Sequence, residues 1–394
     1  MRHLLAARRL GGRFGALVGT LVLIVLVGGL VAGLVLVRTA HNGSSPTAAA
    51  APGLYVGSLD GSVYKLDAQT GKLRWSQKIG DQVTGLSVVN GVVYASSLNG
   101  EGHSIAALYA STGKPIWIGQ TESKIASAPA LANGVVCITS DSLYVFAASN
   151  GRVLWRKAFG ADGVAAYGDL VFSAEADQSA DVLYAFDARS GAVRWQVSAP
   201  SPGWGFSAPM AEHGVVYAML FAAQQGGYET AFNASDGAQI WQSPPLKLNG
   251  AYNPPGAPLV VGGSLYLPAT DGSLIALDTR TGQPLWTYTP ASGASATNYG
   301  GFSPLWSDGQ VVYIGEMGHI TLLNASDGTV MRRQDVLHYQ GSAFIVSGNV
   351  LFVNSADGVV HALKLADGAQ VWHYTYFQPR EETGFDAAAM VLAA

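Results

Sequence analysis

One cysteine stands in 394 residues, so no intrachain disulfide can form, and cysteine usage says little about compartment. Charge is also scarce, with Asp, Glu, Lys and Arg together at 12%. The seven histidines of residues 39–394 form neither His-x-His nor His-Glu-x-x-His, which removes the common local spacings for zinc. There is no Gly-x-Ser-x-Gly elbow and no Gly-rich phosphate loop leading into a helix. What the chain has instead is 49 glycines and many β-branched and aromatic residues, a mixture that suits short strands joined by tight turns.

The one long apolar run is Ala16–Val37, 22 residues without a charge. As a helix it measures roughly 33 Å, enough to cross a bilayer. Arg2, Arg8, Arg9 and Arg13 precede it and only Arg38 follows closely, so the positive-inside rule keeps residues 1–15 in the cytoplasm and exports the rest. The run exceeds the roughly 7–15 residues of a signal-peptide core, which favours an uncleaved anchor in the cytoplasmic membrane. The small residues at 47–52 keep a cleaved signal as the rival. Residues 38–52 are small and polar, a flexible tether of at most about 50 Å. Over residues 39–394, 17 Lys and Arg face 26 Asp and Glu, a net charge of −9, which argues against nucleic acid as a partner.

Residues 53–394 repeat. The turn of LDAQTGKLRW (66–75) recurs with its glycine at 71, 113, 151, 191, 237, 282, 328 and 368, spacings of 38 to 46 residues. Four residues later stand Trp75, Trp117, Trp155, Trp195, Trp241, Trp286, Arg332 and Trp372. A second series counts the same eight units: Tyr55, Tyr94, Cys137, Phe172, Tyr217, Tyr266, Tyr313 and Phe352. Cys137 holds an aromatic position in that series and reads as a buried core thiol. Units of four strands and about 43 residues predict an all-β, eight-bladed propeller of four-stranded blades. Asp67, Asp187 and Asp278 recur with the turn and read as turn stabilisers, as do the Asn-Ala-Ser triplets at Asn233 and Asn324. The first unit opens at GLYVGS (53–58), a second strand. The chain runs past its last unit to 384–394, a tail similar to other inner strands, so the C-terminus is expected to supply the innermost strand of blade one.

The repeated [LF]-[DN]-A-x-[TSD]-G-x-x-x-W resembles the tryptophan-docking repeat of pyrroloquinoline-quinone (PQQ)-type propellers. That superfamily includes quinoprotein dehydrogenases and the outer-membrane assembly lipoprotein propeller, to which this chain is closest in plan. The resemblance implies that each Trp docks on the adjacent blade and that the Arg332 blade docks less well. The adjacent Cys-Cys pair and the calcium and catalytic loops of the dehydrogenases have no counterpart positions here, so neither PQQ with calcium, nor another cofactor, nor a metal is expected. The implied role is a non-catalytic scaffold, anchored by the N-terminal helix, that binds an envelope protein or a ligand. A PQQ-dependent oxidoreductase and a ligand-sensing ectodomain are the alternatives.

One irregularity marks a candidate site. Phe206, Phe302 and Phe385 open the inner strands of blades five, seven and one, and Trp204, Tyr252, Tyr299, Tyr339 and Arg380 stand in the loops just upstream. Two readings fit. Either the aromatics wedge the blades together at one end of the ring, or they form a lopsided mouth for a partner peptide or small ligand.

Overall fold

A computed structural model describes residues 52–393 apart from 100–101, 124, 126, 159–162, 176–180, 223–225, 247–257, 270–272, 291–304, 317, 337–338, 340–342, 356–357 and 377–388. The apolar run 16–37, with its basic flank 1–15 and most of the tether 38–52, lies outside the described residues. Among the described residues no helix is long and apolar enough to cross a membrane.

The strands fall into eight antiparallel sheets, each one blade. Blade three shows the plan: Ala130–Ala132 innermost, then Val135–Thr139, Leu143–Ala147 and, outermost, Val153–Lys157. Blade one differs in its inner strand, which is Met390–Ala393 from the end of the chain. Leu54 faces Leu392 and Val56 faces Met390, while Gly57 N–H donates to Ala389 O at 2.7 Å. In blade five the inner strand is split into Trp204–Phe206 and Met210–Glu212, both paired with Val215–Ala222. Pro209 lies in the gap, where it has no N–H to offer a ladder. Ser207 bridges the break: its Oγ accepts from Met219 N–H at 3.0 Å.

Among the described residues there is no single core. The apolar clusters lie between successive blades, one of them joining Tyr55 and Val391 of blade one to Leu86 and Val93 of blade two. The second strands are therefore covered on both faces, and Gly53–Gly57 and Val135–Thr139 are buried at every residue. Outer strands such as Leu73–Lys78 (LRWSQK) alternate towards solvent. An uninterrupted apolar run and an alternating one within a single blade follow from that difference in cover.

The recurrent turn serves four bonds at once. Asp67 Oδ1 accepts from Gln69 N–H and Thr70 N–H at 3.1 and 2.9 Å, which closes the turn. Asp187, Asp278, Asn233 and Asn324 accept in the same way, so all five act as turn residues. The next residue, Ala68, donates its N–H to Pro52 O, and its carbonyl accepts from Trp372 Nε1 at 3.1 Å. Every docking tryptophan repeats this bond to the following blade: Trp75, Trp117, Trp155, Trp195, Trp241 and Trp286 donate to the carbonyls of Ala110, Ala148, Ala188, Ala234, Thr279 and Ala325 at 2.7–3.1 Å. Each indole ring lies on the turn glycine of that next blade. A Cβ on Gly71, at φ 69°, would come within 2.6 Å of Trp372. Only glycine meets both the left-handed backbone and the ring, which accounts for the joint recurrence of Gly and Trp.

The second aromatic series supports the same rings from inside the blade. Tyr55 lies 5.9 Å from Trp75 and Phe352 5.7 Å from Trp372, between ring centroids. Cys137 is fully buried at the equivalent place, and burial pushes its thiol pKa up, so it is a core thiol. Arg332 keeps the bond without the ring. Its guanidinium donates to Ala366 O on blade eight, while the Gln334 side chain covers Gly368.

Candidate binding site

The ring has two faces, and the hydrogen bonds identify them. The turn between the first and second strands of a blade bonds to the tryptophan turn of the same blade, as in Ala110 N–H to Gly91 O and Ala148 N–H to Gly134 O, both 2.9 Å. These two sets of turns make one face. The other face carries the second hairpin of each blade and the connections between blades; Gly318 N–H donates to Tyr339 O at 3.0 Å there. Trp204, Phe206 and Tyr339, singled out in the sequence, belong to this second face.

Tyr252, Tyr299, Phe302, Arg380 and Phe385 lie outside the described residues. The remaining three separate by burial. Phe206 is 5% exposed, meets Phe232 edge-on at 6.3 Å and belongs to the cluster between blades four and five. Tyr339 is 2% exposed, within the cluster that spans blades six to eight and reaches blade one. Its hydroxyl sits directly over Gly315, so a strand glycine opens the space that it fills. That hydroxyl has no hydrogen-bond partner among the described residues, and burial raises its pKa well above the ordinary phenol range. Both rings are therefore enclosed in blade packing. Trp204 is different: it is half-buried and stacks on Tyr228, 5.8 Å between centroids with planes 23° apart. The pair forms a partly open aromatic surface at the start of blade five's inner strand.

A polar cluster on the same face has no counterpart in the sequence reading. Glu316, 9% exposed, accepts from Tyr288 Oη at 3.1 Å and from Thr321 Oγ1, and His319 Nε2 lies 2.7 Å from its Oε2. Tyr288 ends the outer strand of blade six, while Glu316 and His319 flank the second hairpin of blade seven. Both carboxylate oxygens are engaged, so the group clamps two blades, and burial raises the Tyr288 pKa. Glu229 is a second buried carboxyl, 1% exposed with Oε1 unpartnered, and burial pushes its pKa up to about 8. Among the described residues no group of three His, Cys, Asp or Glu side chains could hold a metal ion.

The opposite face holds a concavity of about 370 Å³ where the first turns of blades two to five converge. Asn90, Asn133, Tyr167, Glu212 and His213 line it. Sequence reasoning passed over these residues as ordinary hairpin turns. The available signal was His213-Gly214, which stands where two other blades have Asn-Gly.

A family profile described as "Outer membrane protein assembly factor BamB" matches residues 32–145, 101–251 and 139–374. The protein of that name from Yersinia pestis is 25% identical over 90% of this chain and 79% of its own. A tetrathionate hydrolase from Acidithiobacillus ferrooxidans is also 25% identical, over 78% of this chain and 70% of its own. The crystal structure of BamB from Moraxella catarrhalis superposes with a TM-score of 0.61 at 19% identity, over 79% of this chain and 93% of that one, which shows a shared fold.

Proposed function

This chain belongs to the outer membrane protein assembly factor BamB family, and from that premise we propose that it is a non-catalytic, extracytoplasmic protein-binding scaffold. A rigid ring presents surfaces to another protein of the envelope, with residues 16–37 as its anchor in the cytoplasmic membrane. The observation that carries the reading is the unbroken set of inter-blade clamps. Seven indoles and one guanidinium bond each blade to the next. A ring held at every junction keeps its loops in place, so little ordering cost opposes partner binding. Trp204 with Tyr228 is the exposed aromatic element suited to a hot spot. Tyr252, Tyr299, Phe302, Arg380 and Phe385 complete the proposed mouth, while Phe206 and Tyr339 belong to the packing between blades.

The test is site-specific photocrosslinking of the full chain in native membranes, with the probe at Trp204 or, as control, at the exposed Ser76 of an outer strand, away from both faces' candidate sites. One adduct of defined mass from Trp204 alone, competed by unlabelled protein, is expected. Equal labelling from both positions would end the scaffold reading of this mouth.

The tetrathionate hydrolase relative motivates a second, catalytic reading. Incubation of the purified chain with tetrathionate, and separately with PQQ, calcium and a dye-linked alcohol assay, is expected to show no turnover. Saturable turnover in either assay would replace the scaffold with an enzyme.

A further inference from the structure

The concavity on the tryptophan-turn face has the size of a small-ligand site and an unusual composition. Its walls mix apolar side chains, including Met210, Leu131 and Ala166, with turn backbone and the amides of Asn90 and Asn133. Into this setting the split inner strand of blade five brings Glu212, its last residue. The Glu212 side chain is 13% exposed, and its Oε1 makes no hydrogen bond among the described residues. The nearest basic group is His213 Nδ1 at 3.5 Å, on a side chain 77% exposed to water. None of the lining residues is a lysine or arginine; the Arg189 guanidinium stands beside Gly134 at one edge, its Nη2 3.6 Å from where a Cβ on that glycine would be. Burial without a firm partner pushes the Glu212 pKa up to about 7.

A second observation points to the same place. His213 has φ 49° and Gly214 φ 79°, a turn with both central residues left-handed. Asn90-Gly91 has the same conformation, at φ 49° and 75°, with the residue type that tolerates it best. A histidine in that position is less favourable than asparagine, and strained turns of this kind gather at ligand sites. Here it stands beside the largely buried carboxyl of Glu212.

We propose that this concavity binds a positively charged group, the ammonium of a lysine side chain or of a small primary amine, with Glu212 as its counter-ion and Tyr167 at its rim. A cation at the accessible edge of this carboxylate would offset its charge in a place of reduced solvent, where a charge-assisted hydrogen bond is strong. The Tyr167 ring, 42% exposed, offers a face to the same charge. This site is on the face away from the aromatic mouth and does not depend on the partner assigned to it.

The experiment uses the full chain in detergent micelles and titration calorimetry. The probes are N-acetyl-lysine methylamide, a lysine-containing octapeptide and, as the uncharged control, N-acetyl-norleucine methylamide. Saturable binding of at least one lysine probe and none of the norleucine control is expected. Equal affinity for amide and peptide identifies a small-amine site; binding of the peptide alone identifies a polypeptide side chain. Glu212→Gln should weaken the lysine probe at least tenfold. Tyr167→Lys changes an exposed turn residue and places a competing cation at the rim, so it should weaken binding several-fold even where Glu212→Gln fails to fold. Absence of saturation with both lysine probes, or undiminished binding in Tyr167→Lys, would overturn the proposal.

Discussion

Trp372 Nε1 donates to Ala68 O at 3.1 Å across 304 residues of chain, and the same indole covers Gly71. This contact fastens the last blade to the first. It works beside a separate closure, the pairing of Met390–Ala393 with Gly53–Gly57. The ring is thus held at its seam by an outer clamp and an inner strand.

The outer clamp yields a first prediction. Trp372→Phe removes the bond to Ala68 and part of the ring, and should cost about 1–3 kcal/mol. Trp286→Phe, at a junction within the chain, should cost the same within error if all clamps are equivalent. Urea unfolding followed by tryptophan fluorescence measures both. A seam substitution with no shift in midpoint would show that the strand pairing alone closes the ring.

Arg332 offers the reverse experiment. Its Nε and Nη2 are buried without partners among the described residues, while only one nitrogen reaches Ala366 O. Arg332→Trp should restore the repeat and displace Gln334 from Gly368, with a gain of roughly 1 kcal/mol. A lower midpoint than that of the parent chain would mean that Gln334 fills the junction better than an indole can.

Gly315 leaves no room for a methyl group beneath the Tyr339 hydroxyl. Gly315→Ala should therefore destabilise the chain by roughly 1–3 kcal/mol. Gly315→Ala with Tyr339→Phe should recover part of that loss, since Phe lacks the nearest clashing atom, a hydroxyl with no partner to forfeit among the described residues, while its Cζ still stands 2.8 Å from the new methyl. Strict additivity in the double-mutant cycle would show that the two residues do not meet.

Glu229 makes stability depend on pH in a definite direction. Its carboxyl titrates near 4.5 in the ordinary range and near 8 in the folded chain. Between those values the folded state keeps a proton that the unfolded chain has released, so stability falls as pH rises. Below about pH 4.5 both states are protonated and the penalty vanishes; above about pH 8 it is complete. Glu229→Gln should raise the urea midpoint at pH 8 and change it little at pH 4. Equal shifts at the two pH values would mean that the carboxyl is not held neutral in the fold.

Much of the architecture was legible because each repeat carries its own contact code. Gly71 and its seven equivalents need a left-handed turn with open space above it, and Trp75 and its equivalents fill that space on the next blade. Two residues four apart therefore record a contact between blades, and counting them counts blades. The turn carboxylates were legible for the same reason, since Asp67 acts on residues two and three further on. The candidate mouth was less legible. Phe206 and Trp204 are two residues apart and look alike in the sequence, yet one is enclosed by Phe232 and the other lies half open on Tyr228. Alternation along a strand separates core from solvent only where one face is wet. The inner strands Ala130–Ala132, Val164–Tyr167 and Trp204–Phe206 are three or four residues long and differ from blade to blade in what covers them, so period says nothing about which side chain reaches a surface.

The sequence by itself determined the repeating turn, the number of blades and the order in which they follow, because those depend on contacts written at fixed spacing within each unit. Tertiary structure alone decided that Glu316 is clamped, that Glu229 is stranded and that Glu212 borders a concavity. Each of these three carboxyls owes its state to strands from another turn or another blade, and the energy of a buried charge depends on that surrounding more than on its neighbours in the chain.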